Sequence, residues 1–183
     1  MKNLLLNPAD TLLLIIDIQE RLWNAMYNKE EIERNAGILV ELAIKADIPI
    51  VYTEQYRKGI GATIKAIDEK VVDVQGIEKL CFNCFDAEDF KDRLFSSERR
   101  TLLVCGIEAH ICVLQTALTA IEKGFTVHVV ADATGSRTER NHHTGIERMR
   151  DAGCVITSTE AAVFEVVKEA GTPLFKEMLA LIK

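Results

Sequence analysis

The sequence predicts an α/β protein, a three-layer αβα sandwich around a six-stranded, mostly parallel sheet. Three observations lead there. Apolar runs such as Leu12–Ile16 show no alternation with polar residues, as strands buried on both faces require. Segments with apolar residues at helical spacing alternate with these runs, and the links between them are short. The chain has 183 residues with 48% hydrophobic content, enough for one domain, read as residues 1–183, to bury a core without disulfide or metal staples.

The first strand, Leu12–Ile16, stops abruptly at Asp17, which puts a carboxylate at its C-terminal end. Glu30–Ala46 reads as a helix, with Ile32, Ala36, Leu39, Val40 and Ala43 at helical spacing and Asn28 with Glu31 as a capping pair. Pro49 precedes strand Ile50–Thr53, where its missing N–H does least harm. Thr53–Gly61 is polar, aromatic and glycine-bearing, and reads as a long loop on the same face as Asp17. An amphipathic segment near Ala62–Glu69 is followed by a weaker strand signal reaching Ile77–Lys79, so Lys79 also stands at a strand end. Asp86 with Asp89 is expected to cap a helix presenting Phe90, Leu94 and Phe95.

Thr101–Cys105 is the next strand, and Gly106 with a short polar link leads into a helix from Ile111, with Cys112 at its opening and Gly124 after its last turn. Strand Thr126–Ala131, the loop Asp132–Arg137, a helix from about His142 to Ala152 and a short strand Val155–Thr157 follow. Glu160–Lys168 and Pro173–Ile182 are terminal helices, the last with Thr172 as N-cap and Pro173 in its first turn. In such a sheet the ligand crevice lies outside the carboxyl ends of the strands, so Asp17, Lys79 and Cys112 can converge despite their separation in sequence.

Composition excludes several classes of partner. Acidic residues outnumber basic ones, 28 to 22, and the net charge of −6 argues against a nucleic-acid surface. The longest apolar run is far too short for a membrane span. Five scattered cysteines, with no signal-peptide pattern before Pro8, are expected to be reduced thiols in a cytoplasm. The expected partner is a small-molecule substrate.

Gly106 through Val113 carries the chemistry. A cysteine at a helix N-terminus sits among unpaired N–H groups at the positive end of the macrodipole, which favours thiolate over thiol. An ordinary thiol is only about 3% ionised at pH 7, so Cys112 also needs a positioned base and a charge partner. Taken singly, Cys112 reads as a small core residue, Asp17 as a turn residue and Lys79 as a solvated charge. Their joint placement at strand ends points to catalysis.

Leu13-Leu14-Ile15-Ile16-Asp17-Ile18-Gln19, then Lys79 before an aromatic-rich turn, then Gly106 through Val113, resemble in order the signatures of the isochorismatase-like cysteine hydrolases, over essentially the whole chain. Thr53–Gly61 and Val127–Ala133 further resemble the branch called isochorismatase domain-containing proteins. The resemblance implies Cys112 as nucleophile, Asp17 as base and later acid, and Lys79 as the charge that balances carboxylate and thiolate. Attack on an amide carbonyl would give a thioester that water releases. It also implies a cis peptide at Ile107–Glu108 and an oxyanion site made by the backbone N–H groups of Glu108 and Cys112. Metal-binding relatives such as nicotinamidases carry an Asp and several His after the second strand, where this chain reads Gln55, Tyr56 and Arg57, so neither a metal nor another cofactor is implied. Isochorismatases proper lack the cysteine, so Cys112 points to amide or imide chemistry. Relatives assemble as dimers or larger, which implies a homo-oligomer.

Gln19, Trp23, Tyr56, Glu108 and His110 follow strand ends on the presumed active face and are candidates for the substrate pocket, although Trp23 and Tyr56 equally suit the core or a subunit contact. Cys81-Phe82-Asn83-Cys84 is a C-x-x-C motif, and a thiol redox or sensing protein using Cys81 and Cys84 is the second reading. Without a second pair, or a thioredoxin-like setting, these cysteines read as packing thiols. A non-catalytic binding member of the fold is the third reading.

Overall fold

In the computed structural model, which describes residues 4–183, strands and helices follow one another as the periodicity predicts. β1 (Thr11–Ile16) leads through a single turn, α1 (Glu20–Trp23), to the long α2 (Lys29–Lys45). β2 (Ile50–Gln55) is followed by two more single turns, α3 (Arg57–Ile60) and α4 (Lys65–Asp68), and by the short β3 (Ile77–Lys79). After α5 (Glu88–Ser96) and β4 (Thr101–Ile107), a π-helical turn, Ala109–Val113, runs directly into α6 (Leu114–Glu122). The chain continues with β5 (Thr126–Gly135), α7 (Glu139–Asp151), β6 (Val155–Thr157), α8 (Thr159–Val167) and α9 (Pro173–Ile182).

The sheet order is β3-β2-β1-β4-β5-β6, and every strand pairing in it is parallel. Along β1, Leu13 and Ile15 turn to one face, into a cluster with Ile32 and Leu39 of α2, Val163 of α8 and Met178 of α9. Leu12, Leu14 and Ile16 turn to the other, with Phe90 and Leu94 of α5, Ala117 of α6 and Met149 of α7. Burying each large side chain contributes about 1.5–3 kcal/mol, so both faces of β1 must be apolar, and the three-layer sandwich follows.

Polar strand ends hide in the sequence. β2, β4 and β5 run past Thr53, Cys105 and Ala131, because pairing continues through Gln55 with Lys79 and through Ile107 with Gly135. The stretch read as a loop from Thr53 thus starts as strand, and most of Asp132–Arg137 belongs to β5. Between Val104 and Gly106 the β4–β5 register shifts, their partners being Val129 and Thr134, so β5 bulges there.

Two expected caps are not formed. Asn28 precedes α2 without capping it; its Nδ2 donates to Glu31 Oε2 (3.3 Å) and to the Thr134 carbonyl (3.1 Å), tying α2 to β5. Asp86 falls inside a 3₁₀ turn, Cys84–Asp86, whose N-cap is Asn83, and α5 starts after Ala87 with no side-chain cap. Thr138 caps α7, which therefore begins before His142, while Thr172 caps α9 as its spacing predicts.

β1 sits between β2 and β4, so the chain leaves it toward opposite sides at a topological switch point. The carboxyl ends of β3, β2, β1 and β4 line up there and deliver Lys79, Thr53 with Gln55, Asp17 and the turn before Cys112. Among the described residues, no helix is long and apolar enough to cross a membrane.

His128, between Leu103 of β4 and Val155 of β6, is fully buried, and among the described residues neither ring nitrogen has a hydrogen-bond partner. Burial holds its pKa below the ordinary 6.5, partly offset by the Glu165 carboxylate, and burial also lowers that of His142. The unfolded chain therefore binds these protons first, so stability is complete above about pH 6.5 and declines as the pH falls toward the folded-state values. Urea midpoints are expected to drop between roughly pH 7.5 and 5, and His128→Phe to flatten part of that slope; an unchanged slope would assign it to other groups.

Candidate active site

Asp17 follows β1 directly, in the left-handed region with φ of 52°, which aspartate adopts more readily than most residues. Its N–H donates to the Thr53 carbonyl at 3.1 Å and its side chain is fully buried. Oδ2 accepts from Lys79 Nζ at 2.7 Å, and Oδ1 accepts from Thr53 Oγ1 at 2.7 Å. Thr53 and Gln55 lie two apart on β2 and so face the site together, while Glu54 between them turns away to Thr63 and Arg57.

All three ammonium protons of Lys79 have acceptors within the protein. One goes to Asp17, one to Gln55 Oε1 at 2.9 Å, and the carbonyls of Cys81 (3.3 Å) and Phe82 (3.5 Å) share the third. Burial pulls the Lys79 pKa down, but its ion pair and hydrogen bond with Asp17 oppose this, and the pKa stands raised with the ammonium charged. Gln55 Nε2 donates to the Leu80 carbonyl at 2.8 Å. Gln19 in turn clamps Gln55: its Oε1 accepts from the Gln55 N–H at 2.7 Å and its Nε2 donates to the Gln55 carbonyl at 3.0 Å. Gln19 therefore acts behind the site, through Gln55.

Cys112 lies within the π-helical turn rather than opening a helix, and is 5% exposed. The Glu108 carbonyl accepts from the N–H groups of Ile111 (3.0 Å) and Val113 (3.3 Å), one on either side of Cys112, and the Ile107–Glu108 peptide is cis. Burial pushes the Cys112 thiol pKa up; the charge and hydrogen bond of Asp17 push it further, and Lys79 only partly opposes them. Burial and Asp17 thus work against the thiolate that a helix end would favour. The low-dielectric surroundings outweigh the helix dipole, and the sulfur keeps its proton beside an anionic acceptor.

The remaining candidates divide. The Glu108 carboxylate accepts from the N–H and Nε of Arg137, each at 3.1 Å, and His110 Nδ1 lies 2.9 Å from Ser136 Oγ, so both tie the cysteine turn to the end of β5. Tyr56 donates its N–H to the Lys79 carbonyl at 2.9 Å while its side chain stays exposed. Trp23 is held elsewhere, with Nε1 on the Lys29 carbonyl (2.8 Å), the Lys29 ammonium over its ring and its apolar body against the α2-side core.

Sequence reasoning missed Thr53, Gln55, Cys84 and Thr116 as parts of the site. Their signal was faint but present, since Thr53 and Gln55 alternate at a strand end beside Asp17. Cys84 is fully buried, its N–H donating to Thr116 Oγ1 at 3.0 Å and its thiol 4.0 Å from Thr53 Oγ1. Among the described residues, no group of three or more His, Cys, Asp or Glu is arranged to hold a metal ion.

A family model, the isochorismatase domain, matches residues 11–161. A secreted isochorismatase effector of Phytophthora sojae is 35% identical over 180 residues, 96% of this chain and 86% of its own length. The structure of the MAR1 ribonuclease from Caenorhabditis elegans superposes with a TM-score of 0.90 at 33% identity, covering 97% of this chain and 91% of that one. The Escherichia coli YcaC gene product, described as an octameric hydrolase of unknown specificity, superposes with a TM-score of 0.89 at 25% identity, covering 100% and 89%.

Proposed function

Given that this chain belongs to the isochorismatase family, we propose that it is a metal-independent cysteine hydrolase that cleaves the C–N bond of a small amide-like substrate through a Cys112 thioester. One observation carries the reading: the buried Asp17–Lys79 ion pair set beside Cys112, whose thiol pKa burial raises. A base must be empty and its proton donor loaded before attack, and that is the resting arrangement here.

Asp17 takes the thiol proton as sulfur bonds to the carbonyl carbon, and the carbonyl oxygen becomes an oxyanion received by the N–H groups of Glu108 and Cys112. Collapse breaks the C–N bond, and the departing nitrogen leaves with the proton from Asp17. Water then adds to the thioester with Asp17 again as base, releasing the acid and restoring the thiol. Lys79 spends its donors on Asp17, Gln55 and two carbonyls, so its part is to hold the carboxylate anionic between proton transfers. Gln55 supports a metal-free site, because both ends of its amide are already used by Lys79 and Leu80.

A dithiol redox role for Cys81 and Cys84 has less support: burial pushes the Cys84 pKa up to about 12, the opposite of an exchange-ready thiol. The octameric relative supports assembly of this chain into a homo-oligomer, and the exposed Leu80 and Phe82 supply apolar surface for it. Sedimentation showing only monomer would remove that part.

The test is a panel of small amides and imides incubated with the protein and quenched in acid. The expected result is hydrolysis of at least one member and an acyl mass on the Cys112 peptide. Hydrolysis without any such adduct, even under rapid quench, would reject the thioester route.

A further inference from the structure

Building on that hydrolase reading, we propose that Thr53 is a positioning residue of the reaction: its hydroxyl aims the Asp17 carboxylate at the Cys112 thiol by holding one oxygen while Lys79 holds the other. Asp17 lies just past the end of β1, so no continuing strand fixes it. Thr53 holds it twice, its carbonyl accepting the Asp17 N–H at 3.1 Å and its hydroxyl donating to Oδ1 at 2.7 Å. A carboxylate held only by Lys79 could turn about its last side-chain torsion, whereas donors on both oxygens set its plane.

The direction of the Thr53 proton is also set. A carboxylate accepts only, and on the far side of the hydroxyl stands Cys84, 4.0 Å away, whose pKa of about 12 keeps it a thiol and a donor. Thr116, one helical turn beyond Cys112, holds the Cys84 N–H. A weak relay therefore runs from the helix that carries the nucleophile, through Cys84 and Thr53, to the base that faces that nucleophile. The titratable groups facing Asp17 from these elements are Lys79, Cys84 and Cys112.

The experiment follows the alkylation rate of Cys112 by iodoacetamide, a small amide-bearing electrophile, across roughly pH 5 to 9 by peptide mass spectrometry. In Thr53→Val the rate near neutrality should fall about tenfold, the expected worth of one hydrogen bond to a charged group. Thr53→Ser, which keeps the hydroxyl, should restore the rate. A wild-type rate in Thr53→Val would overturn the inference and leave Thr53 as packing; if that variant is too unstable to assay, Thr53→Ala reads the same rate. Asp17→Asn separates the two levels: if it leaves the Cys112 rate unchanged, Asp17 is not the base and the hydrolase mechanism fails first. If Asp17→Asn slows alkylation and Thr53→Val does not, only the role of Thr53 is lost.

Discussion

Cys112→Ala should lower amide hydrolysis by about three orders of magnitude or more and abolish the acyl adduct, with the fold retained. The substitution keeps Cβ and removes only the sulfur, which packs at 5% exposure in the cluster shared by α5, α6 and α7, so the stability cost is about 1 kcal/mol. The Asp17–Lys79 pair stays intact, its bonds to Thr53 and Gln55 being independent of the sulfur. Cys112→Ser should be nearly as inactive, because an alcohol is a far weaker acid and a poorer nucleophile than a thiol. Steady-state hydrolysis of whichever amide the panel identifies, together with a melting curve, checks both variants. Hydrolysis persisting at wild-type rate in Cys112→Ala would end the cysteine mechanism.

Gly106→Ala should cost at least about 4 kcal/mol of stability, enough to empty the native state of many single domains. Gly106 sits in β4 with φ of +131°, and a Cβ there would lie 2.1 Å from the Ile16 carbonyl oxygen and 2.6 Å from the Ile16 nitrogen. Both are backbone atoms of the paired strand β1, so no side chain can swing aside to relieve the clash. The same close approach brings the ends of β1 and β4 together where Asp17 and the cysteine turn emerge, so surviving protein should also lose Cys112 alkylation. Urea denaturation compares the variant with wild type, and a midpoint within error of wild type would refute the clash. Gly145 makes a similar approach from α7, where a Cβ would lie 2.8 Å from the Ala109 carbonyl oxygen, a milder overlap than at Gly106, and the expected loss is smaller.

Strands and helices were legible wherever burial imposed a period. Leu12–Ile16 could be read as a two-faced strand and Ile32 through Ala43 as a helix face, because the core demands apolar residues at those positions and nothing else competes for them. The polar ends of β2 and β5 were not legible, since Thr53, Gln55 and Thr134 face a buried polar network and carry loop-like composition while still pairing as strand. Caps misled for a related reason: Asn28 and Asp86 have suitable side chains, but Asn28 is drawn to β5 and Asp86 falls within a 3₁₀ turn.

For the site, the sequence by itself determined the parts: a carboxylate after the first strand, a lysine at the end of the third, a cysteine past the fourth, and the family signatures around them. Only the tertiary structure decided how they are charged and held. Whether Cys112 rests as thiol or thiolate depends on burial and Asp17 set against Lys79, contributions from different strand ends that no local pattern records. The same holds for Gln19, Gln55 and Thr53. Their hydrogen-bond partners are chosen by where β1, β2 and β3 end relative to one another, which is settled when the sheet packs between its two helical layers.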